Sequence, residues 1–122
     1  MRILLVEDNP INVLVARSFL EGWGASIEVA ENGQQAIDKL DTDRHKIVLM
    51  DLHMPVMDGY DATRKIRSQG ITVPIIALTA SLPNEVAAEV KGLGIDDMVL
   101  KPFVPDELYQ TVLRYTMAQS KS

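Results

Sequence analysis

Apolar positions along the chain change period repeatedly. Ile3–Val6 is a continuous aliphatic run, the pattern of a strand buried on both faces. Asn9 and Pro10 then read as the cap and first residue of a helix, with Leu14, Val15, Phe19 and Leu20 expected inward and an end near Gly22-Trp23-Gly24. Ser26–Ala30 reads as a second strand, Asn32-Gly33 as a turn and Gln34–Leu40 as a short helix. Ile47–Met50 is a third buried strand, and Asp58-Gly59 opens a helix that runs to about Gln69-Gly70. Val73–Leu78 is the fourth strand. Pro83 begins a helix to Lys91-Gly92, with Gly94 as its stop signal. Met98–Leu100 forms the fifth strand. Pro105-Asp106-Glu107 starts a last helix with Leu108, Val112 and Leu113 inward, and the polar tail Ala118–Ser122 is expected to fray.

Strand and helix therefore alternate five times. Such alternation predicts an α/β fold, a five-stranded parallel sheet with helices on both faces and right-handed crossovers. No internal repeat, linker or low-complexity segment interrupts it, so residues 1–122 are expected to form a single domain.

Composition narrows the function classes. The chain has 122 residues, enough for a sizeable core. It contains no Cys, which excludes disulfides and thiolate metal sites. No apolar run approaches the roughly 18 residues that span a bilayer, and Ile3–Val6 is too short for a signal-peptide core. A cytoplasmic location is the expectation. The formal net charge is −5, and no basic cluster exceeds Arg64-Lys65-Ile66-Arg67, so direct nucleic-acid binding is not expected. Acidity leaves room for a cation.

In open parallel sheets, ligands gather outside the carboxyl ends of the strands. Strand one ends in Glu7-Asp8, strand three in Asp51, strand four in Thr79 and strand five in Lys101. Each has an ordinary explanation: acids after a strand often cap the next helix, Thr suits strand ends, and Lys101 could lie at the surface. Asp51 resists such an explanation, because an unpaired carboxylate after a buried strand is costly. Their joint placement carries the signal. Three neighbouring acids cannot all stay charged without a cation, and Mg²⁺, which prefers oxygen ligands and keeps waters, suits them. With the metal in place, Asp51 can attack phosphorus, while Lys101 and the Thr79 hydroxyl satisfy the remaining phosphoryl oxygens.

The motifs resemble the receiver domains of response regulators. Val6-Glu7-Asp8-Asn9 with Asn12, Val15 and Leu20 is similar to that family's first strand and helix. The segment Asp51-Leu52-His53-Met54-Pro55-Val56-Met57-Asp58-Gly59 is similar to its phosphorylation loop. Ala77-Leu78-Thr79-Ala80 and Lys101-Pro102-Phe103 resemble its switch and lysine motifs. The likeness spans essentially the whole chain. It implies a doubly wound, flavodoxin-like sheet of order 2-1-3-4-5. It implies a phosphorelay role in which Asp51 accepts phosphate from the phosphohistidine of a histidine kinase or histidine phosphotransfer domain. It also implies direct Mg²⁺ ligation by Asp8 and Asp51, water-mediated ligation by Glu7, and a backbone carbonyl ligand from His53. Thr79 would move toward the phosphoryl group, and Lys101 would pair with it beside a cis bond to Pro102. His53 and Ser81 would tune dephosphorylation. The opening motif is most similar to receivers of hybrid histidine kinases. The family's aromatic switch position is here Met98, which can repack but has no ring to flip.

Other residues have plainer expectations. Trp23 is a helix-end packing residue, His45 a solvated loop residue, and Tyr109 and Tyr115 lie on the last helix. The fourth helix, fifth strand and fifth helix could form a homodimer face, with Glu89, Lys91, Asp97 and Arg114 pairing across it. Two competing functions remain. A haloacid-dehalogenase-type phosphatase would want an Asp two residues after its nucleophile, where this chain has His53. A degenerate receiver would have lost an acid or the lysine, and Glu7, Asp8, Asp51, Thr79 and Lys101 are all present.

Overall fold

The computed structural model describes residues 1–52, 57–80, 90 and 92–120, with no side chain described beyond residue 116. Its elements are β1 (Arg2–Val6), α1 (Pro10–Gly22), β2 (Ser26–Ala30), α2 (Gly33–Lys39), β3 (His45–Asp51), α3 (Gly59–Ser68), β4 (Ile75–Thr79), β5 (Asp97–Leu100) and α4 (Pro105–Ser120). The helix expected from Pro83 lies mostly outside the described residues; Val90, Gly92 and Leu93 are helical. All four strand pairings are parallel, in the order β2-β1-β3-β4-β5.

Alternation within the central strands makes two cores. Leu4, Val6, Val48, Met50, Ile75 and Ala77 face one side, where Ala36 of α2 and Ala62 and Ile66 of α3 cover them. Ile3, Leu5, Ile47, Leu49, Ile76 and Leu78 face the other, under Ala16 and Leu20 of α1 and Leu108 and Val112 of α4. Each fully buried Leu or Ile contributes about 1.5–3 kcal/mol of transfer free energy. The sheet is therefore rigid where its strands end.

The expected helix faces need correction. Leu14 and Val15 are exposed, and α1 instead buries Ala16 and Leu20 with Val13 and Phe19 against the core. Residues 13, 16 and 20 follow the helical repeat; Leu14 and Val15 turn away by about 100° per residue. Leu113 is only half-buried, one step round from Leu108 and Val112. Helix α4 is helical to Ser120, and residues 121–122 of the expected tail lie outside the described residues. Trp23 does pack at the helix end, its ring centroid 4.4 Å from that of Tyr109.

His45 is not a solvated loop residue. It opens β3 and is buried, with exposed Lys46 and buried Ile47 completing the two-residue period. Its Nδ1 accepts the Asp41 N–H at 3.0 Å, so Nε2 carries the proton toward Glu28 Oε1, 2.8 Å away. Arg2 and Arg44 approach the same oxygen at 3.6 and 3.7 Å. The His45 hydrogen bond, first among these contacts, holds the Glu28 carboxyl below its ordinary range. A depressed carboxyl stabilises the fold above its unfolded pKa, about 4.3, and that contribution disappears as pH falls through the folded value. Glu28→Gln is therefore expected to lower the melting temperature at neutral pH, and the gap from wild type should close in acid. Thermal melts across that range check it; a constant gap would contradict the pairing.

Asp97 and Arg114, expected to pair across a dimer, pair within the chain at 2.9 Å. Tyr115 donates its hydroxyl to the Asp96 carbonyl at 3.0 Å and to Asp97 Oδ2 at 3.2 Å. Glu89 and Lys91 lie outside the described residues.

Candidate functional site

The strand order places the ends of β1, β3, β4 and β5 side by side. Glu7 leaves β1, its N–H bonded to the Ala30 carbonyl at the end of β2 at 3.0 Å. Asp51 is the last residue of β3 and Thr79 the last of β4. The Lys101 N–H bonds to the Thr79 carbonyl at 2.9 Å, holding the residue after β5 against β4. The peptide between Lys101 and Pro102 is cis. Ladder pairing thus brings together Glu7, Asp51, Thr79 and Lys101, four residues far apart in sequence.

Burial divides them. Glu7, Asp51 and Thr79 are 1%, 4% and 1% exposed, whereas Asp8 is open to solvent at the mouth. Glu7, Asp8 and Asp51 each offer a carboxylate oxygen, all within 4.8 Å of one another. The Lys101 ammonium lies 2.7 Å from Glu7 Oε1 and 3.3 Å from Asp51 Oδ2. The Asn9 N–H donates to Glu7 Oε2 at 3.3 Å, and Asn9 Oδ1 in turn caps α1 through Ile11 and Asn12. Burial, followed by the hydrogen-bonded Asp51 carboxyl, raises the Glu7 carboxyl above its ordinary range; Lys101 opposes the shift. One ammonium is thus shared by two buried acids with a third beside them. An all-oxygen, anionic set of this size fits a small hard cation such as Mg²⁺.

The phosphorylation-loop motif is closed at its far end by α3. Asp58 caps that helix by accepting the Asp61 N–H at 3.0 Å. The Gly59 N–H donates to the Leu52 carbonyl at 3.2 Å, and a Cβ at Gly59 would collide with the Asp51 carbonyl. Only Gly lets the helix approach the Asp51 backbone this closely. His53 and Ser81 lie outside the described residues. Met98 is half-buried on β5 against the α2 and α3 core.

Four exposed apolar residues follow the site's strand ends in sequence, two of them, Leu14 and Val15, expected to be buried. Ile11 is 70% and Leu14 66% exposed on α1, with Val15 and, before α4, Val104 also exposed. The buried 13-16-20 repeat is the sequence signal that would have placed these residues outward.

Comparison with known proteins agrees with this geometry. Residues 3–113 match the response regulator receiver domain model. Over 97% of its length the chain is 41% identical to the two-component response regulator ORR41 of Oryza sativa subsp. japonica, covering 96% of it. Other curated relatives, among them sensor histidine kinases and a transcription factor, are much longer, and the chain spans 13–21% of them. The crystal structure of the receiver domain of the Pseudomonas aeruginosa sensor histidine kinase PA1611 superposes with a TM-score of 0.85 at 39% identity. The match covers 94% of this chain and 96% of that one, and that structure has magnesium in its active-site cleft. The Saccharomyces cerevisiae Ssk1 receiver domain, crystallised with the histidine phosphotransfer protein Ypd1, matches with a TM-score of 0.90 at 30% identity, over 98% of this chain and 90% of that one.

Proposed function

The chain belongs to the response regulator receiver domain family of two-component signalling, and from that premise we propose that Asp51 is its phosphoacceptor in an Mg²⁺-dependent reaction. One observation carries the assignment: Asp51 ends the central strand β3 inside the acid cluster, 3.3 Å from Lys101, and opens the segment that resembles the family's phosphorylation loop. In the step, an Asp51 carboxylate oxygen bonds to phosphorus as the P–N bond of a donor phosphohistidine breaks. The leaving electron pair stays on the imidazole nitrogen.

Asp8 and Asp51 would hold the ion directly, Glu7 through water and His53 through its carbonyl. The ion would neutralise the phosphoryl oxygens that the protein's donors do not reach. Lys101, positioned between Glu7 and Asp51, would exchange its contact with Asp51 for one with a phosphoryl oxygen. The Thr79 hydroxyl would bond another. His53 and Ser81 would set how fast water later cleaves the aspartyl phosphate. Met98, flexible and half-buried, suits a modest conformational response and a relay that passes phosphate onward.

The donor would dock over the exposed apolar residues Ile11, Leu14 and Val15 of α1, which follow Asp8 in sequence, and over Val104, which follows Lys101. A histidine kinase or histidine phosphotransfer domain is the partner class this implies. No described helix is long and apolar enough to cross a membrane. We place the domain in the cytoplasm as one unit over residues 1–122, free-standing or joined to a hybrid histidine kinase. The intramolecular Asp97–Arg114 pair leaves fewer charges for a homodimer through β5 and α4.

Labelling by acetyl phosphate, with and without Mg²⁺, tests the reading. Removing a ligand should weaken the ion by at least the roughly 10–100-fold that loss of supporting partners costs a metal site. Asp8→Ala is accordingly expected to lose saturable Mg²⁺ shifts at Glu7 and Asp51 in amide NMR spectra. Wild-type affinity in that variant would contradict the site. Amide NMR suits this better than Trp23 fluorescence, since Trp23 caps the far end of α1 against Tyr109.

A further inference from the structure

Between β2 and α2 runs a short segment that touches both halves of the acid site. At one end the Ala30 carbonyl accepts the Glu7 N–H at 3.0 Å; at the other the Gly33 N–H donates to the Met57 carbonyl at 2.8 Å. Two side-chain hydrogen bonds brace the segment in between. Asn32 Oδ1 accepts the Gln35 N–H at 2.9 Å, and Gln35 Oε1 accepts the Glu31 N–H at 2.9 Å. Glu7 belongs to the acid cluster, and Met57 precedes Asp58 and Gly59, the latter packed on the Asp51 carbonyl. Residues 30–33 therefore link the end of β1 to the segment that leads into α3 through two backbone hydrogen bonds.

Gly33 has no room for a side chain. A Cβ there would lie 2.6 Å from the Met57 carbonyl oxygen, 2.9 Å from Met57 Cγ and 2.9 Å from Ala62 Cβ. The first contact is with backbone and cannot be relieved by a rotamer change. We infer that Gly33 is a positioning residue for phosphoryl transfer: its hydrogen bond and bare Cα seat the Met57–Gly59 segment that sets the Asp51 backbone. This rests on Asp51 being the phosphoacceptor. Gly33 touches no reacting atom. Because Asp51 would be both nucleophile and ligand, a shift of its backbone alters the direction of attack even when the ion is bound.

The test uses the whole chain and acetyl phosphate. Gly33→Ala is expected to slow labelling of the folded protein about tenfold, less than the roughly 10²-fold that a full 1 Å misplacement costs. The defect should persist when Mg²⁺ saturates the variant. Gly22→Ala, where a Cβ meets nothing within 4 Å, is the control expected to label normally. A Gly33→Ala protein that melts earlier yet labels at the wild-type rate per folded molecule would overturn the inference, leaving only a packing role. Should that variant not fold, Asn32→Ala loosens the same turn by removing its cap. Slower labelling there supports the inference, and the wild-type rate overturns it. Failure of the wild type to label would instead refute Asp51 as acceptor, and this inference with it.

Discussion

Replacing Asp51 by Asn leaves a folded protein that acetyl phosphate and Mg²⁺ no longer label. The amide is nearly isosteric with the carboxylate, so the end of β3 and its pairing with β1 and β4 remain. It is not a nucleophile toward phosphorus, and the other buried acid, Glu7, is held by the Lys101 ammonium at 2.7 Å and by the Asn9 N–H at 3.3 Å. Stability moves the opposite way from activity. The Asp51 carboxyl helps raise Glu7 above its ordinary range, so removing its charge relieves two buried acids that share one ammonium. Without Mg²⁺ the variant should melt slightly above the wild type, and Mg²⁺ should raise its melting temperature less. Intact mass after labelling and paired thermal melts check both halves. A labelled Asp51→Asn protein would move the acceptor elsewhere.

Lys101→Met should damage both properties. Among the described residues, Lys101 is the cation within 4 Å of Glu7 and Asp51. Its removal leaves the two carboxylates facing each other. Losing one partner of a deeply buried pair costs roughly 3–5 kcal/mol; this ammonium is partly open to solvent, so about 2 kcal/mol is expected here. The loss should shrink in acid as the raised Glu7 carboxyl protonates, and Mg²⁺ should restore most of it by supplying the missing charge. Labelling is not restored, because the ion cannot take over the phosphoryl oxygen that Lys101 would hold. A rate loss of roughly 10²–10³-fold is expected, the range for removing one preorganised donor. Melts with and without Mg²⁺, beside labelling time courses, separate the two effects. Recovery of full labelling in Mg²⁺ would assign Lys101 a structural role only.

The strand ends were legible because each buried strand is a short aliphatic run that stops at a polar residue. Val6 to Glu7, Met50 to Asp51 and Leu100 to Lys101 are abrupt changes that mark the edge of the sheet. Parallel order then makes them neighbours. Less legible was anything that depends on which way a side chain turns. Leu14 is as apolar as Leu20, but its angle on α1 sends it to solvent. Charged neighbours disguised His45, although its place in the strand period made it interior. The start of β4 was read two residues early. The Val73 carbonyl accepts an Arg67 Nη1 hydrogen at 2.8 Å instead of joining the ladder, and the same guanidinium takes the Ile71 and Gly94 carbonyls and Asp96. Gly33 looked like an ordinary turn residue, because the carbonyl that excludes its Cβ comes from a segment 24 positions further along the chain.

The most direct test of the central claim is to locate the phosphoryl group in the wild-type chain. Acetyl phosphate with Mg²⁺ should form an acyl phosphate, and borohydride should reduce that carboxyl to an alcohol that peptide mass spectrometry can map. The expected result is one modified peptide, with the change at Asp51, absent when Mg²⁺ is chelated. Modification at Glu7 or Asp8, or labelling that persists without the ion, would contradict the account.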